Sequence, residues 1–260
     1  MADLSPGVAS AISPLVRRIV APNPGPLTGA GTNTYLVGVD EIVVVDPGPH
    51  DRGHVEAIVG CGGDRIRWVV LTHGHEDHAG GADALVALTG AQLHRFGDIG
   101  DGFELEATEF VLQALHTPGH SPDHLCWLLE EERMLFSGDT VIDGPTVAID
   151  DMSAYLASLE RLSSRRLRLR SIAPGHGQLI EDPAARLAAY LSHRLEREAS
   201  VLAALEAGAV TLDQLVDRIY DGLADPLRPA AAQTVLAHLV KLAGDGRVTG
   251  ADGTWHPKAA

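Results

Sequence analysis

The sequence predicts an α/β fold in which β-sheets are covered by helices, followed by a smaller helical domain. Three observations lead to this prediction. Up to about residue 180, short apolar runs rich in β-branched residues alternate with segments of helical periodicity. Beyond that point, amphipathic helices follow one another instead. The length of 260 residues suits one domain of roughly 180 residues with a small appendage.

The strands of the larger domain are predicted from short apolar runs that end in turn residues. Asn33–Val37 and Glu41–Asp46 are expected to form a hairpin, and the second run closes at Asp46-Pro47-Gly48. Helices should separate the later strands, as at Ser153–Ser163, where leucines recur on one face. Further strands are expected at Trp68–Thr72, Phe110–Leu115, His124–Leu129, Arg133–Phe136 and Ser171–Ala173, and further helices at Gly53–Val59 and Gly81–Leu88.

The division into domains is placed between residues 180 and 181, because the pattern changes there. Pro183 is suited to the first turn of a helix that runs to about Glu206. A second helix is expected from Thr211 to Tyr220 and a third from Pro229 to Gly244. A hairpin with an Asp-Gly turn follows. Three helices and a hairpin predict a winged-helix-like domain over residues 181–260.

Composition excludes several classes of protein. The 20 basic and 35 acidic residues give a formal net charge of −15, which argues against long-range attraction to nucleic acid or anionic membranes. The helix predicted from Pro229 carries only Lys241 as a firm cation, so sequence-specific DNA binding is not expected. The two cysteines are far apart and indicate no disulfide framework. No apolar run suits a membrane span or a secretion signal, which predicts a cytoplasmic protein.

A dense group of possible metal ligands follows the apolar run that ends at Leu71. His73 and His75 are two residues apart, so they project to the same side of an extended chain. Asp77 and His78 follow as the chain turns. Chance enrichment of a polar turn is the alternative, but the density of ligands favours a metal centre at the end of a strand.

Three later segments each place one more ligand at a strand-to-loop junction: His120, Asp139 and His176. Zinc binds histidine nitrogen and carboxylate oxygen, and a catalytic zinc keeps one position open for water. Seven ligands suit two zinc ions, with manganese or iron as other metals that would fit. We expect one ion on His73, His75 and His120, the other on Asp77, His78 and His176, and Asp139 bridging both.

This ligand series resembles the metallo-β-lactamase-fold superfamily, whose motif His-x-His-x-Asp-His is matched by His73, His75, Asp77 and His78, and whose later ligands are matched in order. The resemblance covers roughly residues 15 to 180. It implies a four-layer αβ/βα sandwich with the site at one edge between two sheets. The segments 23–26, 31–38 and 193–198, with the winged-helix-like end, resemble the lactamase-beta-2-like branch of the superfamily.

The expected activity is hydrolysis by a hydroxide that bridges two metal ions. Asp77 is the predicted catalytic residue, which would orient the hydroxide while it binds metal. Asp46 is the predicted acceptor that fixes the tautomer of a ligand histidine. Asn33 and His124 are predicted to lie beside the substrate. For Asn33 the alternative is an asparagine that stabilises its own turn, and for His124 it is an ordinary strand histidine.

Single-stranded RNA is the first substrate hypothesis, because the resembled branch includes an endoribonuclease. Its cationic support would have to come from the one dense basic stretch, Arg161, Arg165, Arg166, Arg168 and Arg170, which could equally be a solvated helix end. A thioester such as an acyl-glutathione is the alternative substrate, and a metal-stabilised binding module is the non-enzymatic alternative. The expected role of the C-terminal domain is either to form a wall of the cleft or to mediate a homodimer.

Overall fold

Two β-sheets packed face to face form the centre of the molecule in the computed structural model, which describes residues 4–144, 147–208 and 210–258. In the described residues the first sheet has six strands and the second has five. The first sheet runs in the order β1 (Ser10–Ala11), β2 (Val16–Val20), β3 (Asn33–Val37), β4 (Ile42–Val45), β5 (Ile66–Val70) and β6 (Gln92–His94). The second comprises β7 (Glu104–Glu106), β8 (Val111–His116), β9 (Leu125–Leu129), β10 (Met134–Gly138) and β11 (Ser171–Pro174), with β11 at one edge beside β10.

Helices lie on the outer faces of both sheets and form most of the C-terminal part. A short hairpin of β12 (Val248–Ala251) and β13 (Thr254–Pro257) ends the described chain. Single turns of 3-10 helix occur at Gly63–Arg65 and Asp225–Leu227. The α-helices are α1 (Arg52–Gly62), α2 (Glu76–Ala79), α3 (Ala82–Thr89), α4 (Met152–Leu162), α5 (Pro183–Glu206), α6 (Leu212–Ile219) and α7 (Arg228–Gly244).

The inner faces of the two sheets bury one apolar core. Tyr35 on β3 meets Phe136 on β10 with their ring centroids 5.1 Å apart, and Trp127 on β9 is fully buried in the same core. Burial on both faces explains why β4 is a continuous run of Ile and Val rather than an alternating pattern.

The outer face of each sheet is covered by its own helices. Leu36 and Val44 pack with Ile58 of α1 and Leu85 of α3, whereas the second sheet packs against α4 and α5. The layers are therefore helix, sheet, sheet and helix. The predicted α/β class and four-layer αβ/βα sandwich are confirmed.

Strand boundaries differ from the sequence prediction where side chains have other partners. The strand expected at Trp68–Thr72 is Ile66–Val70, because the Thr72 backbone N–H leaves the ladder and donates to Asp46 Oδ1 at 2.7 Å. Strand β2 was not predicted, since two arginines interrupt its apolar pattern. One of them, Arg18, is nevertheless only 1% exposed and donates to the carbonyl oxygen of Gly177.

The C-terminal part contains the three predicted helices and the predicted hairpin. Thr211 caps α6 in a reciprocal capping box with Gln214. The α6 and α7 helices share a separate apolar core with the end of α5 and with Val248 of the hairpin. The predicted winged-helix-like domain is confirmed. The boundary at residues 180 and 181 stays a prediction. The first turns of α5 pack against the larger domain, since Leu187 lies in the core of that domain.

Two pairs of parallel strands determine where the loops meet. Strands β4 and β5 are parallel in the first sheet, and β10 and β11 are parallel in the second. The carboxyl ends of parallel strands lie at one edge of a sheet, so the segments that follow these four strands come together. None of the described helices has the length and apolar character needed to cross a bilayer.

Candidate metal centre

The seven predicted ligands lie together at the edge where the two sheets meet. His73, His75, Asp77 and His78 occupy the loop after β5 and the first turn of α2. The other three follow β8, β10 and β11: His120, Asp139 and His176. Their ligand atoms form three overlapping groups in which the atoms lie within 4.8 Å of one another. Residues separated by about 100 positions in sequence therefore form one constellation.

The first half of the constellation consists of three imidazoles. His73 Nε2 lies 2.9 Å from His75 Nδ1, and His120 Nε2 lies 3.0 Å from the same atom. His73 and His120 also direct their Nδ1 atoms at oxygen acceptors, Thr72 Oγ1 and the carbonyl of Ala148. Their Nε2 lone pairs therefore face a common point, which is the arrangement that a cation requires.

The second half contains two imidazoles and a carboxylate. Asp77 Oδ2 lies 3.6 Å from His78 Nε2 and 3.4 Å from His176 Nε2. The pKa of His176 is raised to about 9, because the attraction of Asp139 outweighs the opposing effect of burial, which by itself would lower it. A divalent ion bound there would displace this proton and would be attracted by the same carboxylate.

Asp139 lies between the two halves. Its Oδ1 is 3.4 Å from His78 Nε2 and 3.3 Å from His176 Nε2, whereas its Oδ2 is 3.6 Å from His120 Nε2. Burial alone would raise the pKa of Asp139, but the imidazoles of His78 and His176 lower it well below its usual range. The carboxylate is thus ionised, with one oxygen directed at each half.

The donor set fits a pair of divalent ions. Among the described residues, His78 Nε2 and Asp139 Oδ1 are buried without a hydrogen-bond partner. Gly175 provides the space between them, because a Cβ at this position would lie 2.6 Å from the His78 ring and 2.8 Å from Asp139 Oδ1. Unpartnered buried polar atoms are costly, and a bound cation would satisfy both.

Asp46 orients two of the candidate ligand histidines, and it accepts a hydrogen bond from His78 as predicted. Its Oδ2 accepts hydrogen bonds from His78 Nδ1 at 2.8 Å and from Thr72 Oγ1 at 2.7 Å. Thr72 Oγ1 in turn lies 3.0 Å from His73 Nδ1. One buried carboxylate therefore holds His78 directly and His73 through a hydroxyl. The connecting role of Thr72 was not predicted, although Thr72 adjoins the motif.

His124 is fully buried beneath the ligands. Its Nε2 accepts a hydrogen bond from the backbone N–H of Asp139 at 3.1 Å, and its ring stacks on His73 with the centroids 5.0 Å apart. Burial lowers the pKa of His124 well below its ordinary value, so the ring is neutral and able to accept this bond. His124 therefore lies beside the candidate site, directly before β9, and its described contacts are with protein groups.

Asn33 also contacts protein groups at the site. Its side-chain amide donates to the carbonyl oxygens of Pro174 and Gly177, at 2.9 and 3.0 Å, and the residue has no exposed surface. Asn33 thus connects β3 to the loop that carries His176. It stabilises a neighbouring loop, whereas the two sequence hypotheses proposed a substrate contact or stabilisation of its own turn.

A cleft of about 440 Å³ opens onto the ligand constellation. His75, Asp77 and Asp139 lie on the side formed by the larger domain, and Arg194 of α5 also lines the cleft. The opposite side comes from the segment between α6 and α7 and from the start of α7. Its apolar lining residues are Leu223, Leu227, Pro229, Ala230 and Ala231. The C-terminal domain therefore walls the cleft, one of its two predicted roles.

The basic stretch lies at the other end of the second sheet. The Arg170 backbone N–H donates to the carbonyl oxygen of Arg133 at 2.9 Å, just before the first residues of β11 and β10. His176 follows the opposite end of β11. Arg161 is paired with Asp101 at 2.8 Å, and the remaining arginines project from the loop between α4 and β11. The stretch does not line the described cleft.

Comparison with known proteins agrees with this geometry. The family model described as Metallo-beta-lactamase superfamily matches residues 27–104 and 93–176, which together span more than half of the chain. The chain belongs to the metallo-beta-lactamase superfamily. The model described as Beta-lactamase associated winged helix domain matches residues 211–255. The predicted superfamily and the predicted class, a metal-dependent hydrolase, are confirmed.

Several relatives of this superfamily member are similar over nearly the whole chain. "Lactamase-like protein adaB" of Aspergillus niger is 34% identical over 91% of this chain and 83% of its own length. "Beta-lactamase-like protein 2 homolog" of Caenorhabditis elegans is 33% identical over 91% of this chain and 87% of its own length. "Atrochrysone carboxyl ACP thioesterase" of Aspergillus chevalieri is 34% identical over 91% and 83%, respectively.

Solved structures share the complete architecture. A beta-lactamase domain protein from Burkholderia ambifaria superposes with a TM-score of 0.83, at 21% identity, over 99% of this chain and 96% of its own. A metallo-beta-lactamase family protein from Thermus thermophilus gives 0.81, at 23% identity, over 95% and 100%. At these identities the superpositions support the fold, including the placement of the C-terminal domain beside the sandwich.

Proposed function

We propose that this protein hydrolyses acyl thioesters in the cleft between its two domains. Two divalent metal ions would occupy the floor of the cleft, zinc being the metal that best suits the donors. The observation that carries the proposal is that one cleft is bordered both by the His and Asp constellation and by apolar side chains, including the apolar wall from the C-terminal domain. A reactive site beside an apolar pocket suits an acyl group.

The ligands we propose for the first metal ion are His73, His75 and His120. For the second we propose Asp77, His78 and His176, with Asp139 shared between the ions. When bound, two such ions lower the pKa of a coordinated water and polarise a substrate carbonyl. No nucleophilic side chain of the protein is needed for such chemistry.

The residues around the site hold it in position for hydrolysis. Asp46 and Thr72 fix the tautomers of His78 and His73, which leaves Nε2 of each ring free to hold an ion. His124 holds the backbone of Asp139. Asp77 is about 30% exposed at its side chain, so it can reach both an ion and the solvent of the cleft. We therefore propose that Asp77 orients the attacking water while it also holds a metal ion.

An acyl chain would lie along the apolar wall. Leu223, Leu227 and Ala230 are partly buried and border the same cavity as the ligands. Each methylene removed from water there contributes roughly 0.8 kcal/mol, so a chain of several carbons gains substantial affinity. Relatives that carry the name thioesterase, at 34% identity over 91% of the chain, support the same substrate class.

Single-stranded RNA, the first hypothesis from the sequence, has no support at the cleft. A polynucleotide needs cations along its path and flat side chains on which bases stack. Of the described cleft-lining residues, Arg194 is the one arginine or lysine and Tyr220 is the one aromatic residue other than histidine. The dense basic stretch lies at the far end of β11. The homodimer hypothesis stays a prediction.

The proposal is tested by assaying hydrolysis of acyl thioesters of several chain lengths and of labelled single-stranded RNA. Purified protein should be assayed after chelation and again after addition of zinc, manganese or iron. We expect thioester turnover that chelation abolishes and metal restores, with about two ions bound per chain at full activity. RNA cleavage without thioester turnover would refute the proposal.

A further inference from the structure

We propose that Arg194 binds a negatively charged oxygen group of the substrate, either a carboxylate on the acyl portion or a phosphate on the thiol carrier. The inference deepens the proposed function, because it assigns a further recognised group to the thioester substrate.

Arg194 is a buried cation that borders the cleft. The residue is 1% exposed, and it lines the same cavity as His120 and Asp139. Its Nη2 donates to the carbonyl oxygen of Val147 at 2.9 Å, and its guanidinium lies 5.1 Å from the ring centroid of Tyr155. Its Nε is buried without a hydrogen-bond partner in the described structure.

Arg194 has no carboxylate partner among the described residues. No carboxylate oxygen of the described residues lies within 4.0 Å of its guanidinium, and the nearby Glu198 pairs with Lys241 and Arg247 instead. A guanidinium remains charged at all accessible pH values, so burial cannot neutralise it as it would a histidine. An unpaired buried charge is strongly unfavourable. A substrate anion would supply the missing opposite charge, and arginine binds carboxylates and phosphates through a pair of parallel N–H donors.

The location of Arg194 suits substrate recognition. Its acceptor Val147 adjoins Ala148, whose carbonyl oxygen holds His120 Nδ1 at 2.8 Å. The guanidinium and the first half of the ligand constellation thus contact neighbouring peptide units. An anion bound to Arg194 would fix one end of the substrate beside this half, while the apolar wall accommodates the chain.

Arg197 and Glu198, which follow Arg194 on α5, do not line the cleft and contact the C-terminal domain instead, although Arg197 Nε, like Arg194 Nε, has no hydrogen-bond partner among the described residues. Arg197 donates to the carbonyl oxygen of Ile219 at 3.2 Å and lies 4.4 Å from the ring centroid of Tyr220. Glu198 pairs with Lys241 at 2.9 Å. Arg197 and Glu198 therefore connect α5 to α6 and α7. Arg197 is a matched control, because it is an arginine three residues away on the same helix.

The first experiment compares the metal-loaded wild type with R194Q and R197Q on three thioesters. The substrates are butyryl-N-acetylcysteamine, which carries no anion, glutaryl-N-acetylcysteamine, which carries a carboxylate, and butyryl-coenzyme A, which carries phosphates. We expect R194Q to raise KM roughly tenfold or more for one anionic substrate, as loss of a charge-assisted hydrogen bond implies. KM for the uncharged substrate and the bound metal should not change, and R197Q should resemble the wild type.

The outcomes of this experiment are distinct. A selective effect on the glutaryl substrate places the anion on the acyl portion, and a selective effect on the coenzyme A substrate places it on the carrier. If R194Q lowers kcat equally for all three substrates and loses metal, Arg194 is structural and the inference is wrong. It is also wrong if R194Q leaves all three KM values unchanged.

A second experiment does not depend on turnover. Glutarate and inorganic phosphate are titrated calorimetrically into the metal-loaded wild type, R194Q and R194K. We expect one anion to bind the wild type and to lose roughly tenfold or more in affinity in R194Q, with R194K intermediate because it keeps the charge but not the two parallel donors. Equal binding by all variants, or no binding by the wild type, would overturn the inference. If R194Q does not fold, the anion affinity of R194K is compared with that of the wild type, and equal affinities would overturn the inference.

The binding experiment also separates this inference from the proposed function. If no thioester is hydrolysed but R194Q weakens anion binding, the anion site stands and the thioester assignment fails. If thioesters are hydrolysed and R194Q changes neither KM nor anion affinity, the assignment stands and the anion site fails.

Discussion

The two walls of the cleft differ in chemistry. The wall from the sandwich combines His and Asp side chains such as His75 and Asp139 with apolar ones such as Leu27 and Ile142. The described lining from the C-terminal domain has no imidazole or carboxylate and consists mostly of Leu, Pro and Ala side chains. The sandwich wall is held by buried hydrogen bonds such as that from His78 to Asp46. The apolar wall lies at the start of α7 and in the loop before it, and part of it is exposed.

This difference indicates that the two domains make separate contributions to one site. The sandwich wall requires its atoms at fixed positions, because metal coordination tolerates only small changes in distance. The apolar wall requires only area and shape, because the hydrophobic effect is not directional. Substitutions in the sandwich wall should therefore abolish hydrolysis, and substitutions in the other wall should alter which acyl chains are accepted.

The largest effect is expected for Asp139→Ala. Removing the carboxylate shared by both halves should lower kcat/KM for a thioester by more than about 100-fold. Loss of a residue that only hydrogen-bonds to a metal ligand costs roughly 10- to 100-fold, and loss of a ligand itself should cost more. Bound metal should fall from about two ions to one or fewer. Metal analysis and initial rates measure both changes. Asp98→Ala, an exposed loop substitution, is the control, and an active Asp139→Ala would invalidate the proposed role of the sandwich wall.

A smaller effect is expected for Asp46→Asn. An amide has one acceptor oxygen and cannot accept from both the Thr72 backbone N–H and His78 Nδ1, as the two carboxylate oxygens do. Metal affinity should therefore fall roughly 10- to 100-fold, while excess metal restores most of the activity. Competition with a chelator of known affinity measures the change. Asp40→Asn, in the exposed turn between β3 and β4, should bind metal normally. Unchanged affinity in Asp46→Asn would show that this hydrogen bond does not position the site.

A selective effect is expected for Ala230→Phe, which fills part of the apolar wall. We expect unchanged kcat/KM for an acetyl thioester and a loss of about fourfold for each methylene that the longer chains can no longer bury. Rates across a series of chain lengths measure this. Leu236→Phe, at a position 41% exposed on the same helix, is the control. A uniform loss at every chain length would mean that the two walls do not act separately.

The smallest effect concerns stability of the C-terminal domain. Burial, aided by Arg194 and Lys241, lowers the pKa of His238 from 6.5 to about 3. The unfolded chain binds this proton first as pH falls, so the folded state should lose about 2 kcal/mol from this residue between pH 8 and pH 5.

Urea unfolding at pH 8 and pH 5 checks this prediction. His238→Met removes the titrating group, so its stability should fall less between the two pH values than that of the wild type. His256→Met, at an exposed position in β13, should behave like the wild type. Equal losses in His238→Met and the wild type would contradict the expected direction.

Prediction from the sequence succeeded where the determining contacts are local. His73, His75, Asp77 and His78 lie within six residues, so their convergence follows from strand and turn geometry alone. The helix that begins after Thr211 and the Asp-Gly hairpin likewise depend on local contacts. Strand β2 was missed because burial of Arg18 depends on the carbonyl oxygen of Gly177, which lies 159 positions away.

The sequence by itself determined the superfamily, the α/β sandwich and the seven candidate ligands that the fold brings together, because residue type and order carry that information. Only the tertiary structure decided that His124 and Asn33 contact protein groups, that the basic stretch is remote from the cleft, and that α7 faces the ligands with apolar side chains. The physical reason is that a side chain's role depends on which groups surround it after burial. For these residues the surrounding groups come from distant parts of the chain.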